Sequence, residues 1–222
     1  MQIKIHKEGK IYFIISMIFT FLSFFFSSIA GMILLILSAY IFYFFRDPKR
    51  FIPIEDVVLS PADGVVTYIG VQKSPEITNN DKELIKISIF LNIFNVHVNR
   101  VPTDGVVKKI KYIHGKFINA TLDKSSEDNE RNIVCIEKSN KDIIYVTQIA
   151  GLIARRIICD IRKDQLVQKG HRFGIIKFGS RVDLYLPIHY KILISKGQTV
   201  FAGETIISNP NNILQITNSI KN

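Results

Sequence analysis

The sequence predicts a mainly β fold: a barrel-sandwich-like antiparallel domain preceded by an N-terminal hydrophobic helical hairpin. Three observations carry that prediction. Residues 11–45 form a run of 35 positions without one charged side chain. Beyond Arg50, short runs rich in Val, Ile, Tyr and Phe alternate with Gly, Pro, Asn and Asp, the pattern of strands and turns. Outside the apolar start no stretch keeps a 3.6-residue period, apart from Leu152–Ile161, where a short helix is expected.

A single helix through residues 11–45 would run ~52 Å at ~1.5 Å per residue, too long for a ~30 Å hydrocarbon core. The polar pair Ser27-Ser28, followed by Gly31, divides the run into two arms. Lys4, Lys7 and Lys10 flank one end; Arg46, Lys49 and Arg50 flank the other. Both ends therefore favour the cytoplasmic side, which places the protein at the cytoplasmic face of a cell membrane, a bacterial inner membrane by expectation. A cleaved signal peptide, cut at Ser28-Ile29-Ala30, fits less well because a second apolar stretch follows at once. Whether the hairpin spans the bilayer or dips into it stays open. Residues 1–50 are read as the anchor and 51–222 as a β domain.

Within that domain, strands are expected at Val57–Leu59, Gly64–Val71, Leu84–Phe90, Val96–Val101, Val106–Ile113, Ile133–Glu137 and Ile143–Ile149. Ile175–Phe178, Val182–Leu186 and Thr205–Ser208 continue the series. The most polar stretch, Asp123–Arg131, is expected as a loop. Ser60–Val66 and Lys196–Ile206 both resemble turn-and-strand elements of lipoyl- and biotin-carrier barrels, which supports a barrel-sandwich core. The carriers' modified lysine has no counterpart, so a carrier role is not implied.

The net charge is +10, of which residues 1–45 contribute +2. A basic surface suits nucleic acid or anionic lipid. Beside a membrane segment, acidic headgroups are the better partner, and no nucleic-acid role is read. Cys135 and Cys159, the two cysteines, lack the spacing of a zinc or redox motif. They point to a reducing compartment.

Four places can carry chemistry. Phe44-Phe45-Arg46-Asp47-Pro48-Lys49-Arg50 reads as an interfacial exit: aromatics, cations, then a helix-stopping proline. Asp63, in Ser60-Pro61-Ala62-Asp63-Gly64, stands in an Asp-Gly pair typical of tight turns. In Asn95-Val96-His97-Val98-Asn99-Arg100-Val101-Pro102, strand alternation puts His97 on one face with Asn95 and Asn99. It reads equally as a surface residue or as a base of fixed tautomer. In Phe178-Gly179-Ser180-Arg181, the absence of a Cβ at Gly179 leaves its carbonyl open to the Ser180 hydroxyl. That permits an N-to-O acyl shift to an ester, which a base can then break by removing the Ser180 α-proton.

The set Phe44–Arg50, Ser60–Val66, Asn95–Pro102, Tyr112-Ile-His-Gly-Lys116, Asn129-Glu-Arg-Asn132 and Gly174–Pro187 resembles the phosphatidylserine decarboxylase proenzyme family, in its short, archaeal-type branch. Six motifs fall in register over nearly the whole chain. The resemblance implies self-cleavage between Gly179 and Ser180, giving a 179-residue β chain and a 43-residue α chain that stay together as a heterodimer, with a higher oligomer left open. It implies a pyruvoyl group formed from Ser180, which takes the serine amine of phosphatidylserine as a Schiff base and accepts electrons as carbon dioxide leaves. Phosphatidylethanolamine is the implied product. No metal or diffusible cofactor is implied.

The family's long branch carries His-x-x-His-x-Pro, with the second histidine in a triad for self-cleavage. Here the matching residues are His97, Arg100 and Pro102, and arginine is no general base at neutral pH. The resemblance therefore assigns acid–base work to His97, with Asp63 assisting maturation and His114 in reserve. Arg100, Arg181 and His114 are expected to hold the headgroup, with Arg155 or Arg156 as further candidates. A membrane-anchored export adaptor with a barrel-sandwich domain is the main rival, but the long heptad hairpin of such proteins is missing. A self-cleaving protein without decarboxylase activity is the second.

Overall fold

The computed structural model describes residues 4–77, 82–115, 128–151, 156–177, 180–210 and 219–221. The chain divides into two compact units, Met1–Lys49 and Arg50–Asn222.

The first unit is a helical hairpin with a small strand pair at its foot. In chain order it holds β1 (Lys4–Ile5), α1 (Lys7–Phe24), α2 (Ser28–Phe44) and β2 (Arg46–Asp47). The Ser27 hydroxyl caps α2 by accepting from the Ala30 N–H at 3.4 Å, so the polar break starts the second helix. Thr20 and Ser38 bond each other across the helices at 3.0 Å. Gly31 lets the Phe24 ring approach where a Cβ would sit 2.5 Å from it. Ile18, Phe21, Ile29 and Ile36 remain exposed on the hairpin's flanks. No helix among the described residues is long and apolar enough to cross a membrane.

Every element named in the second unit is a strand. Its strands are β3 (Phe51–Pro53), β4 (Val58–Leu59), β5 (Gly64–Lys73), β6 (Glu83–Leu91), β7 (Val98–Arg100), β8 (Gly105–Ile113), β9 (Arg131–Glu137) and β10 (Ile143–Ile149). They continue with β11 (Ile157–Cys159), β12 (Leu166–Val167), β13 (Arg172–Ile176), β14 (Ser180–Pro187), β15 (Thr199–Val200), β16 (Ile206–Ser208) and β17 (Ser219–Lys221). Eight of them form one antiparallel sheet in the order β12-β8-β9-β10-β14-β6-β5-β15, and β11-β13-β7 form a second. The mainly β, antiparallel domain behind a helical hairpin is the architecture expected from the sequence.

Alternation along the large sheet decides what each face meets. Ile87, Ile89 and Leu91 of β6, Val134 and Ile136 of β9, Ile144 and Val146 of β10, and Val182, Leu184 and Leu186 of β14 fill the main core. Each such side chain removed from water contributes roughly 1.5–3 kcal/mol. On the other face Leu84, Ile133, Cys135, Tyr145 and Tyr185 form a second cluster with Ile77. The central strands are thus covered on both sides. The two carrier-like pieces meet: β15 pairs with the start of β5, Val200 opposite Gly64, and β16 pairs with β4.

One expectation is corrected. In the segment read as a helix, Ile157–Cys159 are β11, paired with Ile176, Ile175 and Gly174. Two successive β-branched residues favour a strand, and β13 supplies its partner. Residues 152–155 lie outside the described residues, as does most of the expected loop Asp123–Arg131. Arg131 itself opens β9.

Candidate active site

Ser180 is the first residue of β14, a strand held between β10 and β6, with Leu91 as its partner on β6. Its side chain is fully buried, and its hydroxyl has no hydrogen-bond partner among the described residues. Gly179, the other half of the expected cleavage site, lies outside the described residues. Val182 and Leu184, two and four positions on, face the main core, so Ser180 opens the same face.

His97 precedes β7 and is fully buried. Its Nδ1 lies 3.0 Å from the Asn95 carbonyl. A carbonyl only accepts, so in the neutral ring Nδ1 carries the proton and Nε2 the lone pair. The His97 carbonyl accepts from the Ile176 N–H at 3.4 Å, and Val98 stands opposite Ile175 on β13. The histidine is therefore held against the strand that leads to Ser180.

A chain of three buried amides runs beneath. Asn132 Nδ2 donates to Gln148 Oε1 at 3.0 Å, and Gln148 Nε2 donates to Asn99 Oδ1 at 2.9 Å. The relay joins β9, β10 and β7, tying the large sheet to the smaller one. It also fixes which way the Asn99 amide faces, because its oxygen is claimed. Asn99 Nδ2 is left buried and without a partner among the described residues. An unsatisfied buried donor costs roughly 1–3 kcal/mol, which makes it a candidate for a ligand-binding group. Sequence reading placed Asn99 beside His97 and quoted Asn132 in a motif; Gln148 it missed, since nothing local distinguishes one glutamine in a strand.

Asp63 is fixed by contacts of its own. Arg50 Nη2 contacts both its oxygens, at 2.9 and 2.7 Å, and the Ala202 N–H donates to Oδ1 at 2.8 Å. Arg50 also faces Glu204 at 3.5 Å. The neighbouring Pro61 carbonyl accepts from the Arg100 N–H at 2.9 Å, so the Asp63 turn and β7 adjoin.

The three expected headgroup residues are dispersed. Arg100 is buried, on the strand face opposite to Asn99, and donates through Nη1 to the Gly170 carbonyl at 2.8 Å. Arg181 is buried on the outer face of the large sheet and makes a two-point pair with Asp183, at 2.9 and 3.2 Å. His114 follows β8, its side chain 89% exposed, with Nδ1 3.7 Å from Glu130. Three strand steps separate it from Ser180, roughly 14 Å at ~4.8 Å per strand. Arg155 lies outside the described residues; Arg156 is exposed.

A serine hydroxyl sealed from water at the head of a core strand and preceded in sequence by glycine suits the class of enzyme that makes its reactive group from its own chain. Comparison with known proteins agrees with that class. The model of the family described as phosphatidylserine decarboxylase matches residues 37–208. The phosphatidylserine decarboxylase proenzymes of Rickettsia typhi, Rickettsia prowazekii and Rickettsia africae are each 50% identical over 206 residues, 92% of this chain and 89% of theirs. The chain belongs to the phosphatidylserine decarboxylase family.

Proposed function

We propose that this chain cuts itself between Gly179 and Ser180 and then, through a pyruvoyl group at position 180, decarboxylates phosphatidylserine to phosphatidylethanolamine. The observation that carries the reading is the Ser180 hydroxyl, buried and without a partner among the described residues. Such a hydroxyl is spared competing bonds and is available to its own preceding peptide carbonyl. The same position suits the group made from it, since no protein donor has to be displaced when the hydroxyl is lost. Once formed, the group supplies an electron sink for the pair released as carbon dioxide leaves.

The rest of the work falls to the chain's own side chains. His97, with its proton held on Nδ1, offers Nε2 as the acid–base group. Asn99 Nδ2 is a fixed donor for a substrate carbonyl or carboxylate oxygen. Asp63 assists maturation, its charge kept in place by Arg50. Arg100, Arg181 and His114 remain the headgroup candidates, of which His114 alone has an exposed side chain. Residues 1–50 hold the enzyme at the cytoplasmic face of the membrane, and residues 51–222 do the chemistry.

After cleavage the two chains stay paired for a structural reason. The 43-residue product begins with β14, which is registered to β6 over eight positions and to β10 over five. Its release would open the centre of the sheet.

Intact mass of purified protein, kept free of amines, tests the reading. The expected result is two chains, the smaller lighter by one ammonia than a chain starting with serine. A single uncut mass from protein that turns over phosphatidylserine would overturn it.

A further inference from the structure

The large sheet carries a polar cavity on the face that Ser180 does not share. A space of about 240 Å³ there is lined in part by Lys73, Glu76, Lys86, Arg131 and Thr147. Lys86, Arg131 and Thr147 are each more than nine-tenths buried. The Thr147 hydroxyl has no hydrogen-bond partner among the described residues. Asp183 stands opposite Thr147 in register and is already neutralised, by Arg181 at 2.9 Å and by Lys86 at 3.3 Å.

Among the described residues Lys73, Lys86, Arg131 and Arg181 gather here with two carboxylates, Asp183 and Glu76, while Glu83 stands opposite Lys73 in register. The second carboxylate is not built in. Glu76 reaches Arg131 Nη2 at 3.1 Å with its side chain 67% exposed. Its backbone, by contrast, is pinned: Lys111 Nζ donates to the Glu76 carbonyl at 2.6 Å and Lys109 Nζ to the Ile77 carbonyl at 2.8 Å. Glu76 thus acts as an internal stand-in whose side chain can turn out to water while its segment stays put. What remains is Arg131, whose Nη1 donates to the Asn129 carbonyl at 3.2 Å and whose Nη2 faces the space, with Lys86 beside Asp183 and the Thr147 hydroxyl, groups of the kind that suit a tetrahedral oxyanion. The space is smaller than the ~300 Å³ at which pockets begin to take drug-sized ligands, which limits the occupant to one small group.

We propose that this outer-face cavity binds a single phosphate-class oxyanion, which takes the place of the Glu76 carboxylate on Arg131 and accepts a hydrogen bond from Thr147. The chemistry is shared by free phosphate and by the phosphate of a lipid headgroup. Because the cavity lies across the sheet from Ser180, its occupancy does not depend on cleavage or on decarboxylation.

The ³¹P linewidth of inorganic phosphate, titrated with the full-length protein in detergent at matched ionic strength, tests the proposal. Saturable broadening is expected. Glu76→Gln removes the competitor and should tighten phosphate about fivefold, whereas Thr147→Val, of similar shape, should weaken it about fivefold or more. Dihexanoyl phosphatidic acid that outcompetes phosphate would identify a lipid headgroup as the source; the reverse order would identify free phosphate. Broadening that fails to saturate in both wild type and Glu76→Gln would overturn the site. So would equal affinity in Glu76→Gln, Thr147→Val and wild type, with melting curves showing both variants folded.

Discussion

Arg50 and Asp63, 13 residues apart in sequence, meet inside the β domain as a two-point ion pair, with Arg50 Nη2 at 2.9 and 2.7 Å from the two carboxylate oxygens. Both side chains are more than nine-tenths buried. The Ala202 N–H adds a third bond to the carboxylate, so the pair fastens the segment entering β3 to the turn before β5 and to the turn at residues 201–205. Arg50 belongs to the Phe44–Arg50 motif, which as sequence reads as a membrane exit; in the fold its last residue is an internal tie.

Removing one member of a buried pair strands the other charge, which costs about 3–5 kcal/mol. Arg50→Ala is therefore expected to lower the urea midpoint strongly, and Asp63→Ala likewise. The double variant should recover part of the loss, because no charge is then left alone. Additive losses in that cycle would show that the pair contributes nothing specific. Cleavage, followed by mass in Asp63→Asn, separates the structural tie from a part in maturation.

Ser180→Ala gives the opposite expectation for stability. Its hydroxyl has no internal bond to lose, and deleting an unsatisfied buried polar group is neutral or stabilising by about 1 kcal/mol. The variant should stay as one uncut, inactive chain with a denaturation midpoint at or above that of an uncut reference such as a Gly179 variant. Activity in uncut Ser180→Ala would refute the mechanism; a clear drop in midpoint would show that the hydroxyl has a structural partner.

The amide relay yields a third test. Gln148→Glu keeps the shape but replaces the donor to Asn99 Oδ1 with an acceptor, and the Asn99 amide is then expected to flip. Both stability, by about 1–3 kcal/mol, and turnover should fall. The informative readout is the split between kcat and KM: loss of a donor aimed at reacting atoms lowers kcat. A variant that loses stability with kcat unchanged would reduce the relay to scaffolding.

Much of this fold was legible because the strands announce themselves. Val57–Leu59, Gly64–Val71 and Ile143–Ile149 are bounded by Gly, Pro, Asn or Asp, and the observed strands fall within two residues of them. The hairpin was legible from Ser27-Ser28 and Gly31 for the same local reason. Pairing across distance was not. Gln148 meets Asn99 only because β10 and β7 belong to sheets that pack together, and Arg50 finds Asp63 only through the fold. The placing of Arg181 was within reach: alternation in a strand beginning at Ser180 turns the next side chain to the other face. Ile157–Cys159 were misread because periodicity in a short apolar run does not separate helix from buried strand.

The two thiols give a last prediction, on pH. Burial, with the nearby Glu137 charge adding to it, lifts Cys135 from its usual 9.0 to about 11; burial also lifts Cys159. Thiolate is the reactive form, so at pH 8 Cys135 in the folded protein should hold about a hundredfold less thiolate than the same residue in urea. Alkylation by iodoacetamide, counted by intact mass, is expected to be negligible in native protein and complete for both cysteines in urea. If ionisation sets the native rate, it should rise about tenfold per pH unit toward pH 11; a pH-independent rate would mean that access alone protects the thiol. The same shift acts on stability with a defined sign. Between pH 9 and 11 the unfolded chain releases the Cys135 proton and the folded chain keeps it, so this contribution is present in full below pH 9 and lost as pH rises. Cys135→Ser does not ionise in that range, and its urea midpoint should fall less steeply between pH 9 and 11 than that of wild type. Parallel slopes would show that Cys135 titrates alike in the folded and unfolded chains.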